Sequence, residues 1–299
     1  MKVGVTGGSG FIGSHVVDKL IESGNESRII DIIPPHRNDV EYSNVNICNY
    51  KEIPKALEDL DVLFHLAAVS NVNHFAAKPV VSTETNIIGT VNLLEACHQF
   101  DVERFILAST VWVYGASPKL NIDETAMISL KGAGHPYTSS KIASELLVQD
   151  FSNLYGQKFS ILRYGIPFGP RARRGTVIPI FVEKALAGET ITIFGDGATG
   201  RNFIYVEDLA EGNVCALSRK AENQVYNLDG SEEISLNRIA KTIFDILGRN
   251  NSIEYKEARQ GDYINRKVSI EKAKKELNWE PRTTFEEGMR LYIEWLRNH

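Results

Sequence analysis

Tyr137 and Lys141 stand four residues apart in "GHPYTSSK", so on a helix their side chains share one face. A phenol beside an ammonium is a candidate proton-handling pair, able to take the hydroxyl proton of an alcohol as hydride leaves its carbon. A free phenol has a pKa near 10, so only about one in a thousand is ionised at pH 7. Lowering it to neutrality takes about 4 kcal/mol of preference for the phenolate. A cation about 4 Å away at an effective dielectric of about 20 supplies roughly that much, although burial works against it. The same residues also suit an ordinary amphipathic helix, because Ile142, Leu146, Phe151 and Leu154 continue an apolar stripe behind them. The rest of the chain has to decide between the two.

The N-terminus decides much of it. "VGVTGGSGFIGSH" puts Gly7, Gly10 and Gly13, with Phe11 and Ile12 between the last two, after a short β-branched run and at the start of a helical pattern. Glycine there allows a tight turn and a close backbone approach to a pyrophosphate, and the helix N-terminus offers free N–H groups. Asp31 ends the second apolar run about 20 residues on. Its carboxylate can accept from ribose hydroxyls and repels a 2′-phosphate, which favours NAD over NADP. Glycine triplets also serve plain turns, and Asp31 also suits a solvated strand end.

These residues need a scaffold, and the sequence implies one. Val3–Val5, Arg28–Ile32, Val45–Ile47, Val62–Ala68, Arg104–Ser109 and Ser160–Tyr164 read as strands. Between them lie helical patterns such as Ile12, Val16, Val17 and Leu20. Alternation of apolar strands and helices predicts an α/β fold, a doubly wound parallel sheet of the Rossmann type covered on both faces. After Tyr164 prolines and the cluster "GDGATG" break the pattern, so the chain divides into a dinucleotide-binding domain over 1–164, rejoined by about 203–225, and a smaller mixed α/β substrate lobe over 165–299.

Composition sets the outer limits. With 299 residues, 43% hydrophobic and 24% charged, the chain can bury a large core. A net charge of -5 gives no basic footprint for nucleic acid. Cys48, Cys97 and Cys215 are too scattered for a disulfide framework or a CxxC metal site, and read as structural thiols. No apolar run approaches the roughly 18 residues of a bilayer span, and the glycine-rich start does not suit a signal peptide. The expectation is a cytoplasmic protein with no membrane partner and no metal.

Taken together, the GxxGxxG spacing, "DVLFHLAA" (61–68), "TNIIGT" (85–90), "ASTVWVYG" (108–115) and Tyr137-xxx-Lys141 resemble the extended short-chain dehydrogenase/reductase family, most of all its sugar-nucleotide epimerase/dehydratase branch. "RNFIYVEDLA" (201–210), "RQGD" (259–262) and "LNWEP" (277–281) look like that branch's later motifs, so the likeness runs through the whole chain. It implies that Leu66, Ala67 and Ala68 lie beside the dinucleotide with Asn86 nearby. It also implies that Asn46 and Ile47 meet the adenine, where relatives often carry Asp, and that two copies pack as a homodimer through the Asn86 and Tyr137 helices. His65 reads as a packed, hydrogen-bonded histidine rather than a catalyst.

Aligning Tyr114-Gly115 with the family's "YG" implies Thr110 as the catalytic hydroxyl, bridging substrate and Tyr137. Ser109 becomes a backbone or cofactor contact, and a register slip of one would exchange the two. The next two positions discriminate between reactions. Dehydratases resembling this chain carry Asp-Glu there and decarboxylases a Glu, whereas this chain has Val111 and Trp112, which move no protons. What remains is hydride removal and return at one ring carbon, a nucleotide-sugar 4-epimerisation on a UDP-hexose or UDP-uronate with NAD recycled. A one-way reductase or dehydrogenase, and a nonenzymatic NAD-sensing regulator on the same fold, are the competing readings.

For the substrate, the resemblance implies Val177, Thr192 and Phe194 at the nucleobase, Arg201 and Arg259 on the diphosphate and Asp262 on the ribose. Arg171, Arg173 and Arg174 add charge near the cleft or form a solvated patch. Ile166 stands where galactose epimerases often have asparagine, preceded by Gly165 where relatives often have Phe, which opens a uronic or modified sugar.

Overall fold

The structure, a computed structural model, describes residues 1–115, 117, 121–128, 134–249, 251–257 and 267–299. Seven strands form one sheet: β1 (Lys2–Thr6), β2 (Glu26–Asp31), β3 (Glu41–Asn44), β4 (Val62–His65), β5 (Arg104–Thr110), β6 (Lys158–Tyr164) and β7 (Gln224–Leu228). Every pairing is parallel and the order is β7-β6-β5-β4-β1-β2-β3. Strand order reverses between β1 and β4, and in such sheets ligands bind in the crevice at the carboxyl ends of those strands.

Helices cover both faces, which explains why "RFILAST" of β5 is buried throughout. Alternate residues serve opposite cores, in keeping with the two-residue period of a strand. Ile106 and Ala108 pack with Val16, Val17 and Leu20 of α1 (Phe11–Glu22), while Phe105 and Leu107 pack with Leu93, Leu94 and Cys97 of α2 (Gly89–Gln99). Val148 of α3 (Pro136–Tyr155) joins the second core, and Leu209 and Ala210 of α4 (Val206–Cys215) join the first. Helix α3 starts at Pro136, preceded by His135, whose Nδ1 accepts from the Thr138 N–H at 3.3 Å. It ends at Gly156, with φ +71°, a left-handed cap that glycine adopts freely.

A third core gathers Phe168, Phe181, Phe203, Ile239, Ile243, Phe285 and Met289. Its helices are Val177–Ala187, Leu236–Leu247 and Phe285–Asn298, accompanied by a three-stranded sheet of Ile166–Phe168, Gly200–Tyr205 and Glu233–Ser235. The chain returns from that lobe to the large sheet through α4 and β7.

One strand lies earlier than the sequence suggests. The edge strand is Glu41–Asn44, not Val45–Ile47. Its residues are polar and at least partly exposed because no strand among the described residues pairs with its outer side. Val45 and Ile47 point into the core from the segment that follows, with Ile47 packed where a Cβ on Gly89 would sit, at 2.6 Å.

Candidate active site

The turn from β1 into α1 is shaped by missing side chains. Gly7 has φ +71°, and a Cβ there would meet the Ala67 nitrogen at 2.7 Å; a Cβ on Gly13 would meet the Gly7 carbonyl oxygen at 2.1 Å. Gly10 precedes α1 in extended conformation, and its carbonyl accepts from the Ser14 N–H. Phe11 and Ile12, half-buried, open the helix. The Asp31 carboxylate closes the cradle, accepting from the Ser9 N–H at 3.0 Å and the Ile33 N–H at 3.2 Å. Loop, helix start and acidic strand end therefore meet at the switch point, an arrangement that fits the pyrophosphate and ribose of a dinucleotide.

Leu66, Ala67 and Ala68 leave β4 partly exposed, lining the crevice, and the Ala67 N–H donates to Thr6 Oγ1 at 3.3 Å. Next to them the helical backbone widens to an i→i+5 turn over Glu84–Ile88. Such turns free a carbonyl and often mark functional sites. Within this one the Asn86 carbonyl accepts from the hydroxyls of Thr90 at 2.7 Å and Ser144 at 3.1 Å. The Asn86 amide grips the Val69 backbone at both ends and donates to Ser140, tying the β4 exit to α3. His65 is buried, with Nδ1 on Thr6 at 2.8 Å and Nε2 on Thr90 at 3.0 Å; burial pushes it down to about 3, so it stays neutral. It is the packed, hydrogen-bonded histidine expected from the sequence.

Asn46 is exposed and its Oδ1 already accepts from the Cys48 N–H at 3.0 Å, while Ile47 is core. The amide oxygen offered to an adenine thus first caps its own loop.

At the chemical end Thr110 closes β5, buried, accepting from the Trp112 N–H at 3.2 Å. Lys141 reaches back beneath it, its Nζ donating to the Ala108 carbonyl at 2.9 Å. Tyr137 lies one turn before Lys141, its ring stacked with His135 at 6.0 Å and edge-on to Trp112 at 6.2 Å. Burial pushes the Tyr137 phenol up to about 12, opposed by the Arg173 guanidinium, and pushes Lys141 down to about 8, opposed by Glu145. The electrostatics of the chain alone therefore favour phenol over phenolate, with the Arg173 guanidinium working against burial. Lys141 is directed at the strand backbone.

Ser109 has a different partner from the one read in the sequence. Its hydroxyl donates to Glu145 Oε1 at 2.5 Å, and Glu145 forms a buried two-pronged ion pair with Arg163 at 2.6 and 3.0 Å. Arg163 also donates to the Tyr114 hydroxyl at 2.6 Å, which donates to Asn227 at 2.9 Å. Sequence reasoning passed over Glu145 and Arg163. The available signals were an acidic residue extending the 137–141 stripe by one more turn, and an arginine inside the apolar run of β6.

The substrate residues are spread across the second lobe. Ile166 starts the strand paired with Phe203, Arg201 lies two residues before Phe203 and is half-buried, and Val177 opens its helix. Thr192 and Phe194 alternate with buried Ile191 and Ile193, so both face the same, partly exposed side. Arg259 and Asp262 lie outside the described residues. Arg171 is no free surface charge: it donates to Asp18 at 2.7 Å and to His15, while Arg174 is exposed beside Glu183. Gly165 has a reason of its own, because a Cβ there would strike Asp229 Oδ1 at 1.8 Å. Asp229 is buried at the end of β7, and burial lifts its carboxyl to about 7. No helix among the described residues is long and apolar enough to cross a membrane.

A glycine cradle at a parallel sheet's switch point, with a tyrosine–lysine helix at the next strand ends, defines a Rossmann-type dinucleotide enzyme. The chain belongs to the NAD dependent epimerase/dehydratase family, whose model matches residues 3–229. NAD is accordingly its cofactor, and the cradle fits it. The chain is similar to a putative UDP-glucose 4-epimerase of Methanocaldococcus jannaschii, 34% identical over 99% of this chain and 98% of that protein. It is similar in structure to the UDP-glucose 4-epimerase of Thermotoga maritima solved with UDP-glucose, with a TM-score of 0.92, 34% identity and coverage of 100% and 99%. It is also similar to the UDP-glucuronic acid 4-epimerase of Bacillus cereus in complex with UDP-glucuronic acid and NAD, with a TM-score of 0.91, 28% identity and coverage of 100% and 99%. Relatives further include UDP-glucuronic acid decarboxylases and a dTDP-D-glucose 4,6-dehydratase.

Proposed function

We propose that this chain is an NAD-dependent nucleotide-sugar 4-epimerase acting on a UDP-hexose or UDP-uronate. The observation that carries the reading is the pair after Thr110: Val111 is buried in a small apolar core and Trp112 packs its ring against Tyr137 and His135. Dehydration and decarboxylation need a carboxyl group there to move protons at neighbouring sugar carbons. Epimerisation needs one hydroxyl proton handled and one face exchanged.

In this scheme Tyr137 takes the sugar hydroxyl proton and later returns it, and Thr110 bridges the two oxygens by donating to one and accepting from the other. Lys141 anchors the strand end and, charged, favours the phenolate. Bound NAD would supply the hydride acceptor and donor and add positive charge to the cleft. Gly7, Gly10, Gly13 and Asp31 seat it, and Asn86 holds the β4 exit against α3. Arg201, Arg259 and Asp262 are assigned to the diphosphate and ribose, with Thr192, Phe194 and Val177 around the base. A two-lobed division at about residue 164, with α4 and β7 rejoining the large sheet, leaves the sugar between the lobes.

A homodimer is part of the reading. Val80, Val81, Ile88, Leu146, Leu154 and Tyr155 expose apolar surface on the Asn86 segment and α3, and a second copy packed there would cover it. Sedimentation of the purified protein at twice the chain mass is the expected result.

Incubating the NAD-loaded protein with UDP-glucose, UDP-galactose and UDP-glucuronate separately tests the activity. One substrate should turn into a mixture of two C4 epimers with no net NADH. Return of every sugar unchanged would end the reading, and NADH produced in proportion to substrate would establish the one-way dehydrogenase instead.

A further inference from the structure

Glu145 sits at the centre of a charged network that the proton-transfer scheme does not use. It is 2% exposed and Arg163 5%. Buried ion pairs are often no better for stability than apolar residues of similar volume, so stability alone explains this one poorly. Its connections do more. The carboxylate holds Ser109, the residue before Thr110, and Arg163 holds Tyr114 at the end of the turn after Thr110. Glu145 is also one turn beyond Lys141 and two beyond Tyr137 on a single helix face.

We propose that Glu145 is a positioning residue for the reaction: it clamps the strand end that carries Thr110 to the helix that carries Tyr137 and Lys141, and it supplies the counter-charge that keeps Lys141 an ammonium. This rests on Tyr137 and Lys141 being the proton-handling pair. The groups around Lys141 can be named element by element. Tyr137 and Glu145 lie on its own helix, and His65 faces it from β4, held neutral. β5 contributes the Ala108 carbonyl and the hydroxyls of Ser109 and Thr110, and α2 contributes Thr90, none of which titrates. Arg163 of β6 stands behind Glu145. Among the described residues Glu145 is thus the negative group raising Lys141 against burial, and Lys141 at about 8 loses its charge as pH rises through that value. Removing the carboxylate lowers that point further.

The test reads Lys141 directly. Lysine labelled with 13C at Cε gives a resonance whose pH titration reports the ammonium, assigned by its disappearance in Lys141→Met. In NAD-loaded Glu145→Gln the midpoint should fall by about one unit or more. The alkaline limb of kcat should move down with it while KM holds. Glu145→Asp should restore most of the midpoint. A Glu145→Met/Arg163→Met double variant guards against misfolding, since it exchanges the pair for apolar volume and should still show the drop. Folded variants in which Lys141 titrates as in the parent would overturn the proposal. That outcome is separate from failure to epimerise any sugar, because the titration needs no substrate.

Discussion

The two ends of the cleft are built by opposite means. At the dinucleotide end the shape is made mostly by backbone, and the sequence contributes by leaving atoms out: at Gly7 and Gly13 any Cβ would collide with a neighbouring main chain. At the chemical end side chains supply the reactive groups, and those around them are held by partners far away in sequence, Ser109 by Glu145 and Tyr114 by Arg163 and Asn227. A site made of absences tolerates almost no addition. A site made of partnerships fails by degrees, according to which partner is lost.

That contrast can be broken experimentally, beginning with the largest effect. Tyr137→Phe should lower kcat by about 10³–10⁴-fold while NAD, seated at the other end, stays bound; retention is checked by absorbance of the purified protein, and near-normal turnover would remove Tyr137 from the chemistry. Gly13→Ala should do the reverse, abolishing NAD retention and costing about 3 kcal/mol in urea denaturation, as overpacking against rigid backbone does. Gly165→Ala should cost about 2 kcal/mol, because the added carbon meets the Asp229 carboxyl. Adding Asp229→Ala should recover most of that, since contacting residues couple. Additive losses would mean that the two do not share the space.

The smallest effect is a slope. His15 and His65 are buried neutral, lowered to about 4 and about 3, so between those values and 6.5 the unfolded chain binds protons that the folded chain refuses. Stability then falls as pH falls through that window. Asp229, lifted to about 7, has the opposite sign: the folded chain holds its proton from about pH 7 down to the ordinary carboxylate range, so stability rises as pH falls. Urea titrations between pH 4.5 and 6 should show His15→Gln flattening the dependence, and Asp229→Asn steepening it, each by about 1.4 kcal/mol per pH unit. Unchanged slopes would contradict these assignments.

The same contrast explains what could be read from the sequence. The glycine loop and Asp31 are local, spelled out within about one strand–helix–strand unit, and the Tyr137–Lys141 spacing is one helical turn. Their place on a doubly wound parallel sheet followed from apolar runs alternating with helical ones. The edge strand was misplaced because β3 has no apolar pattern to betray it, while Val45 and Ile47 display one from a loop. Glu145, Arg163 and Asp229 stayed hidden because their meaning lies in neighbours on other strands. Only the oddity of charge among apolar residues hinted at them. The direction of the Lys141 ammonium, toward the Ala108 carbonyl, could not be had from spacing at all.

Arg171, held at φ +63°, grips Asp18 and His15 on the helix that begins at the glycine loop, and Arg173, two residues on, opposes the effect of burial on the Tyr137 phenol. One short thread of chain thus joins the helix behind the glycine loop to the charge felt by the proposed proton carrier. In the proposed cycle, where one nicotinamide would serve every turnover, that stitch would tie the seat of the lodger to the door used by the guest.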